Sequence, residues 1–399
     1  MSSIVVAGDT SGSVTLAAPA VAGSPTLTLP SSVGTGAQTL TTDGTGVMSW
    51  GSNVALFGTG ADGAVTISSG TTTLVRDMHY SSLTISGTGK INPNGWTIYV
   101  SGTLDLSNAP ASSITIPSVS GANASGSTAG GVIGAYSGNT SPGGRSGLAG
   151  GAGGTGAGVS GTVNQVAIIY GGYGGTSGVG GAGTPNAGGA AVTGIPSVSI
   201  YSLGPNVGPM TSFLSIQTNT VWNAFYSAMF GGTGASGGGD GTNPGGGGGG
   251  AAPSGGGIAV RAAVIARGTN TTTGIITAIG GTGGNGGTVS VGNVGGGSGG
   301  GGSGGGYIDI VAGSLTGSTI INALDVSGGL GGTGGNGAGT GKGGGGGNGG
   351  NGGATKVLVL SPTSLTLNTV NIAGTAGGGT AAGNTGTAGG AGAVSRANL

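Results

Sequence analysis

The chain has 399 residues, 109 of them Gly, and its eight basic and eight acidic side chains cancel; ordinary domains carry about 7% Gly and roughly 25% charge. Gly costs about 1 kcal/mol per helical position relative to Ala, which excludes a mainly helical protein. No Cys excludes disulfides and thiolate metal sites, 14 Pro without a Gly-X-Y register exclude collagen, and eight scattered Lys and Arg speak against a nucleic-acid partner, whose phosphates need clustered cations.

Residues 1–50 form a first block of short strands punctuated by Pro and Gly. Thr26, Leu27, Thr28 and Leu29 alternate with the period of a half-buried strand. Fifty such residues hold too little apolar surface to stand alone, so they are expected to pack on other copies or on a neighbouring protein. The start, MSSIVVAGDTSG, lacks the basic and apolar regions of a secretory signal, and no apolar run approaches a membrane span. Synthesis in a cytoplasm is therefore expected.

Residues 51–120 form a denser strand module. Strands are expected at Ala64 to Ile67, Leu83 to Ile85, Trp96 to Val100 and Thr103 to Leu106, each closed by Gly or Asn. Short strands at this spacing predict β-helix-like or sandwich rungs. His79, the single His, sits among these strands without an obvious partner and is read as structural.

Residues 121–257 are Gly-rich with an aromatic insertion. Within it, Trp222, Phe225, Tyr226 and Met229 follow helical spacing over residues 211–230. Residues 258–399 alternate strands with Gly tracts, and the strand starts Ile258, Ile308 and Val357 recur about every 50 residues, an internal repeat. A finer period runs inside the tracts: Thr282 and Asn285, then Leu330, Thr333 and Asn336, then Asn348 and Asn351, stand three apart. Three residues per turn is the period of polyproline II. Two bare positions in each triplet let backbones approach closely, so the tracts read as polyglycine II helices rather than linkers. The fold class expected is all-β with polyglycine II helices and almost no α-helix.

Chemistry is sparse. The only carboxyls are eight isolated Asp, and glycosidic hydrolysis needs a pair about 5 to 9.5 Å apart. Asp309 and Asp325 could approach across rungs, but Asp309 alternates with Ile308 and Ile310 and is expected to face solvent. Asp240, in GGGDGTN, reads as a turn former. No catalytic, cofactor or metal site is assigned, and the chain is expected not to be an enzyme. Recognition favours rings that bury area at little entropic cost. The candidate contact residues are Tyr136, Tyr170, Tyr173, Tyr201, Trp222 and Tyr226, with the loops Asn139 to Arg145 and Asp240 to Pro244 as the next choice.

VTLAAPAVAGSPTLTLPSSVGTGAQTLTTDGTGVMSW resembles the opening module of bacteriophage tail-fibre proteins, with its LPSS-GT-x-Q-x-L-x-TDG-x-G-V-x-SW form. The segment from FGTGADGAV to TLDLSN is similar to a module that follows it, and GGGDGTNPGGGGGGAAPSGGGIAVRAA resembles the distal region of fibre-tip adhesins built of polyglycine II helices. The resemblance implies a virion protein of the tail or head. Residues 1–50 would join other virion proteins, and the distal part would contact a host surface glycan or outer-membrane protein. By the same analogy it implies a homo-oligomer, in phage fibres a trimer. A glycan-degrading tailspike and an ice-binding or surface-coat protein are the alternatives.

Overall fold

A computed structural model of the chain describes residues 3–7, 13–17, 26, 28–31, 38–42, 45, 47–52, 54–132, 149–162, 176–191, 232–253, 255–317, 323–361, 369–370 and 372–379. It divides into two compact units, Met1–Leu56 and Phe57–Leu399. In the first, β1 (Ser3–Ala7) pairs antiparallel with β2 (Ser13–Ala17), and β3 (Gln38–Thr42) with β4 (Met48–Ser52). The alternating stretch around Thr28 contributes a single bridge, to Val47. The only helix among the described residues is the four-residue α1 (Val54–Phe57). The protein is all-β, as the glycine content dictates.

The second unit holds two parallel sheets. One contains β5 (Ala64–Ile67), β7 (Met78–Tyr80), β8 (Ser82–Ser86), β10 (Thr97–Asn108), β12 (Gly257–Ala266), β14 (Tyr307–Thr316) and β16 (Ala354–Val359). The other contains β6 (Thr71–Thr73), β9 (Lys90–Asn92), β11 (Ile114–Thr115), β13 (Ile276–Thr277), β15 (Leu324–Asp325) and β17 (Thr369–Val370). The chain visits the first sheet, then the second, and repeats this on each rung. The blocks 51–120 and 258–399, read apart along the sequence, thus share both sheets.

Alternation explains the core. Ile98 stands beside Val260, Val260 beside Ile310, and Ile310 beside Val357. On the facing sheet Ile91, Ile114, Ile276 and Leu324 form one ladder, each 1% exposed or less. Each such side chain contributes about 1.5–3 kcal/mol by leaving water. β10 joins the two strands expected at 96–100 and 103–106, with a register shift between Val100 and Thr103. A Cβ at Gly102 would stand 2.5 Å from the Ser81 carbonyl oxygen, so the bend requires Gly there.

The repeat is confirmed with one correction. Ile258 pairs with Ile308, but Ile308 pairs with Thr355 and Val357 with Ile310. The steps are therefore 50 and 47 residues: two of the three missing residues are lost between the first-sheet and second-sheet strands, and one in the excursion through the Gly tracts.

Parallel strands need long crossovers, and helices usually supply them. Here glycine tracts do. After β13 the chain runs outward along 278–289, turns, and returns along 294–306 into β14; after β15 it runs out along 326–338 and back along 341–353 into β16. Hydrogen bonds between tracts advance in steps of three. Gly280, Gly283, Gly286 and Val289 donate to the carbonyls of Ser327, Leu330, Thr333 and Asn336. Gly284 and Gly287 donate to Gly250 and Gly247, in the opposite direction.

The returning tract 295–305 is enclosed on all sides. It donates to carbonyls of 232–238, 281–287 and 342–351, and accepts from amides of 178–181, 246–249 and 329–335. The tracts form four layers. The outward segments 117–124, 278–289, 326–338 and 372–378 make the first, and the return segments 129–131, 244–252, 294–306 and 341–353 the second. Outward segments 149–154, 176–183 and 232–239 make the third, and return segments 158–162 and 187–191 the fourth. Direction is common within a layer and reverses between layers. Where a side chain does enter, it replaces a backbone acceptor: the buried hydroxyls of Ser236, Ser298 and Ser303 accept the amides of Val159, Ala235 and Gly281, each at 2.7 Å.

Candidate functional site

The aromatic candidates Tyr136, Tyr170, Tyr173, Tyr201, Trp222 and Tyr226 lie outside the described residues, as do the helical segment 211–230 and the loop Asn139 to Arg145. The loop Asp240 to Pro244 is described, and it belongs to a larger surface.

That surface consists of the turns where outward tracts become return tracts. Asp240 forms its turn as expected: its Oδ1 accepts the amides of Thr242 at 2.9 Å and Asn243 at 2.6 Å. Its Oδ2 accepts the Asn243 side-chain amide at 2.9 Å and the Asn293 amide at 3.0 Å, which ties this turn to the next. The Asn243 amides, then those of Asn293 and Thr242, hold the Asp240 carboxyl well below the usual carboxylate range. Gly292 has φ of 80°, and a Cβ there would run into the Asp240 and Asn243 side chains.

The network continues. Asn293 accepts the Thr340 amide through Oδ1 at 3.1 Å and the Thr184 amide through its carbonyl at 2.9 Å. The hydroxyls of Thr184 and Thr340 meet at 3.2 Å. Asn186 donates its side-chain amide to the carbonyls of Thr155 and Gly239, and Gly241 donates to Thr155. Turns at 155–157, 184–186, 240–243, 291–293 and 339–340 are thus one bonded surface. Thr155, Pro185, Thr242, Asn293 and Thr340 are exposed on it, and Val291 is 68% exposed. It offers hydroxyls, amides and an isolated aliphatic side chain. Of the five turns, the sequence reading named the one at Asp240; the other four and their meeting were not foreseen.

A second group of charged residues sits on the outer face of the seven-stranded sheet and its flanking turns, whereas Asp240 and the exposed Lys342 lie at the glycine turns. Arg76 pairs with Asp62 and donates to the Asp77 carbonyl at 2.9 Å. Asp62 also accepts the His79 amide at 2.6 Å, and Arg76 first, then that amide, holds its carboxyl below the usual value. His79, expected to lack an obvious partner, has two: its ring stacks on Tyr99 with centroids 4.6 Å apart, and its Nδ1 accepts the Thr59 amide at 3.3 Å. Burial pushes the Tyr99 phenol up.

Asp309 corrects the sequence reading outright. It is buried, pairs with Arg261 at 2.5 Å, and stands beside Lys356 on the next strand. Alternation directs Asp309 away from the core between the sheets, as expected, but this outer face is itself covered: Ala259, Val311 and Leu358 on it are 5% exposed or less. Burial pushes the Lys356 ammonium down, and the Asp309 carboxylate opposes that. Asp325 lies in the other sheet and accepts the amide and hydroxyl of Ser327, so neighbouring rungs do not unite the two carboxyls.

Comparison of the chain with protein-family models, with curated proteins and with solved structures finds no match.

Proposed function

We propose that this chain is a structural protein of a bacteriophage fibre and acts as an adhesin, with the turns at the end of the glycine layers contacting the host surface. The observation that carries the reading is the union of five turns into one exposed surface on a hydrogen-bonded scaffold. Contact residues work best on loops held by rigid elements. The finer fold reading belongs here too: the glycine tracts are polyglycine II helices, and the alternating rungs are turns of a parallel β-helix. The three-residue hydrogen-bond step supports the first, and the two parallel sheets visited in alternation support the second. Residues 1–50, within the compact unit Met1–Leu56, attach the protein to other virion components. The receptor is a surface glycan or an outer-membrane protein.

The test is competition. Purified chain should block adsorption of the phage that encodes it, without releasing reducing ends from the cells. Val291→Asp combined with Thr340→Arg should abolish the block and leave melting unchanged. Release of reducing ends would favour the tailspike alternative, and an undiminished block by the folded variant would move the contact surface away from these turns.

A further inference from the structure

We infer that the outer face of the first glycine layer is a self-association surface, on which a second copy of this chain docks by two-fold symmetry. The inference is independent of the adhesin reading.

Every third residue of this layer points outward, and the four tracts share one direction, so these side chains form a lattice. The bonds from Gly121 to Thr282, Gly283 to Leu330 and Gly331 to Thr375 place Ser120, Thr282, Leu330 and Thr375 in one row. The same offsets put Asn123, Asn285 and Thr333 in the next row, and Ile279, Ser327 and Ile372 in the row before. Side chains brace the lattice. Asn123 Oδ1 accepts the Asn285 amide at 2.8 Å, Asn285 Oδ1 accepts the Thr333 amide at 2.9 Å, and Thr288 Oγ1 accepts the Asn336 amide at 3.1 Å. Three side-chain acceptors of the face are therefore satisfied within the molecule, which lowers the cost of covering them.

Three further features fit a second copy. The tracts 117–124, 278–289, 327–338 and 372–379 carry no charged residue, so nothing ionic must be desolvated. Leu330, on an inner tract, and Ile372, on the outermost described tract, are 48% and 66% exposed in adjacent rows, an aliphatic pair among Ser, Thr and Asn. The area is sufficient: four tracts at a strand-like spacing near 4.8 Å, with side chains at the edges, are about 20 Å across. Ten residues at about 3.1 Å each run about 30 Å. The product, about 600 Å², reaches the lower end of what each partner buries in a specific interface. The face is flat, which suits a protein partner better than a small ligand needing a concave site. Both copies repeat every three residues, so the rows of one fit between the rows of the other. A single patch meeting itself closes as a dimer.

Sedimentation of the full chain tests this. The chain of 36.0 kDa should sediment at twice that mass in the micromolar range. Leu330→Asp with Ile372→Asp should halve the mass without changing the circular dichroism spectrum, whereas Ala187→Asp on the fourth layer should leave the dimer intact. Should the double variant misfold, Leu330→Cys gives a second measurement: the chain has no other Cys, and mild oxidation should link two copies through that position. A monomeric chain, a trimer, or a dimer that survives the folded double variant and yields no Leu330→Cys cross-link overturns the inference.

Discussion

Replacing Gly284 tests the close packing of the layers most directly. Gly284 donates to the Gly250 carbonyl and accepts from Gly300, both at 2.9 Å. A Cβ built on it would collide with the Ala122 carbonyl oxygen, stand 2.6 Å from that carbonyl carbon, and stand 2.9 Å from the Gly250 nitrogen. All are backbone atoms, so no side chain can swing aside. Relief requires tract 117–124 to move outward, which weakens the bonds from Gly121 to Thr282 and from Ala124 to Asn285. Overpacking costs about 1–3 kcal/mol, and two weakened hydrogen bonds add about 1–3 kcal/mol. The lower entropy of the unfolded Ala chain returns about 0.4–1 kcal/mol. Gly284→Ala should therefore destabilise by about 1–5 kcal/mol, lowering the melting midpoint of a chain this long by roughly 1–7 °C. Gly284→Val should cost more. Thr282→Val, at an outward half-exposed position two residues away, should stay within about 0.5 kcal/mol. Differential scanning calorimetry on the three variants decides it. Equal tolerance at Gly284 and Thr282 would refute the packing argument.

Asp309→Asn leaves Arg261 and Lys356 buried without their shared carboxylate, and urea unfolding should show a loss of about 3–5 kcal/mol; a loss under about 1 kcal/mol would mean the carboxylate is not their counter-charge. Asp62 and Asp240 both bind protons more weakly folded than unfolded. Their contribution is therefore full above the ordinary Asp value near 4 and is lost as pH falls through the lower folded values. The melting midpoint should drop on acidification below pH 4, and Asp62→Asn with Asp240→Asn should flatten that drop. Asn293→Ala removes the acceptor of the Thr340 amide and should weaken blocking of phage adsorption with little change in melting. Alanine at Tyr170 and Tyr173 should weaken adsorption in the same way if those rings make contact, and unfolding of that variant would assign them to a core instead.

Composition alone determined the all-β class, because 109 glycines tax every helix. Short β-branched runs bounded by Gly or Asn located β5, β8, β12 and β14 within a residue or two, whereas the period-2 stretch Thr26 to Leu29 gave a single bridge. The triplet register of Thr282 and Asn285, or of Leu330, Thr333 and Asn336, was visible because the hydrogen bonds between tracts advance by three residues, so every third position meets the same environment. What the sequence left open was long-range. Nothing local to Asp309 says that its outward face is covered or that Arg261, 48 positions earlier, will reach it. Nothing near Asp240 says that Asn293 will donate to it or that Thr184 and Thr340, 156 apart, will touch. Those contacts depend on where each outward tract stops and on which layer it joins. A local pattern fixes which residues can approach a neighbour; the lengths of the excursions and the stacking of four layers choose the neighbour.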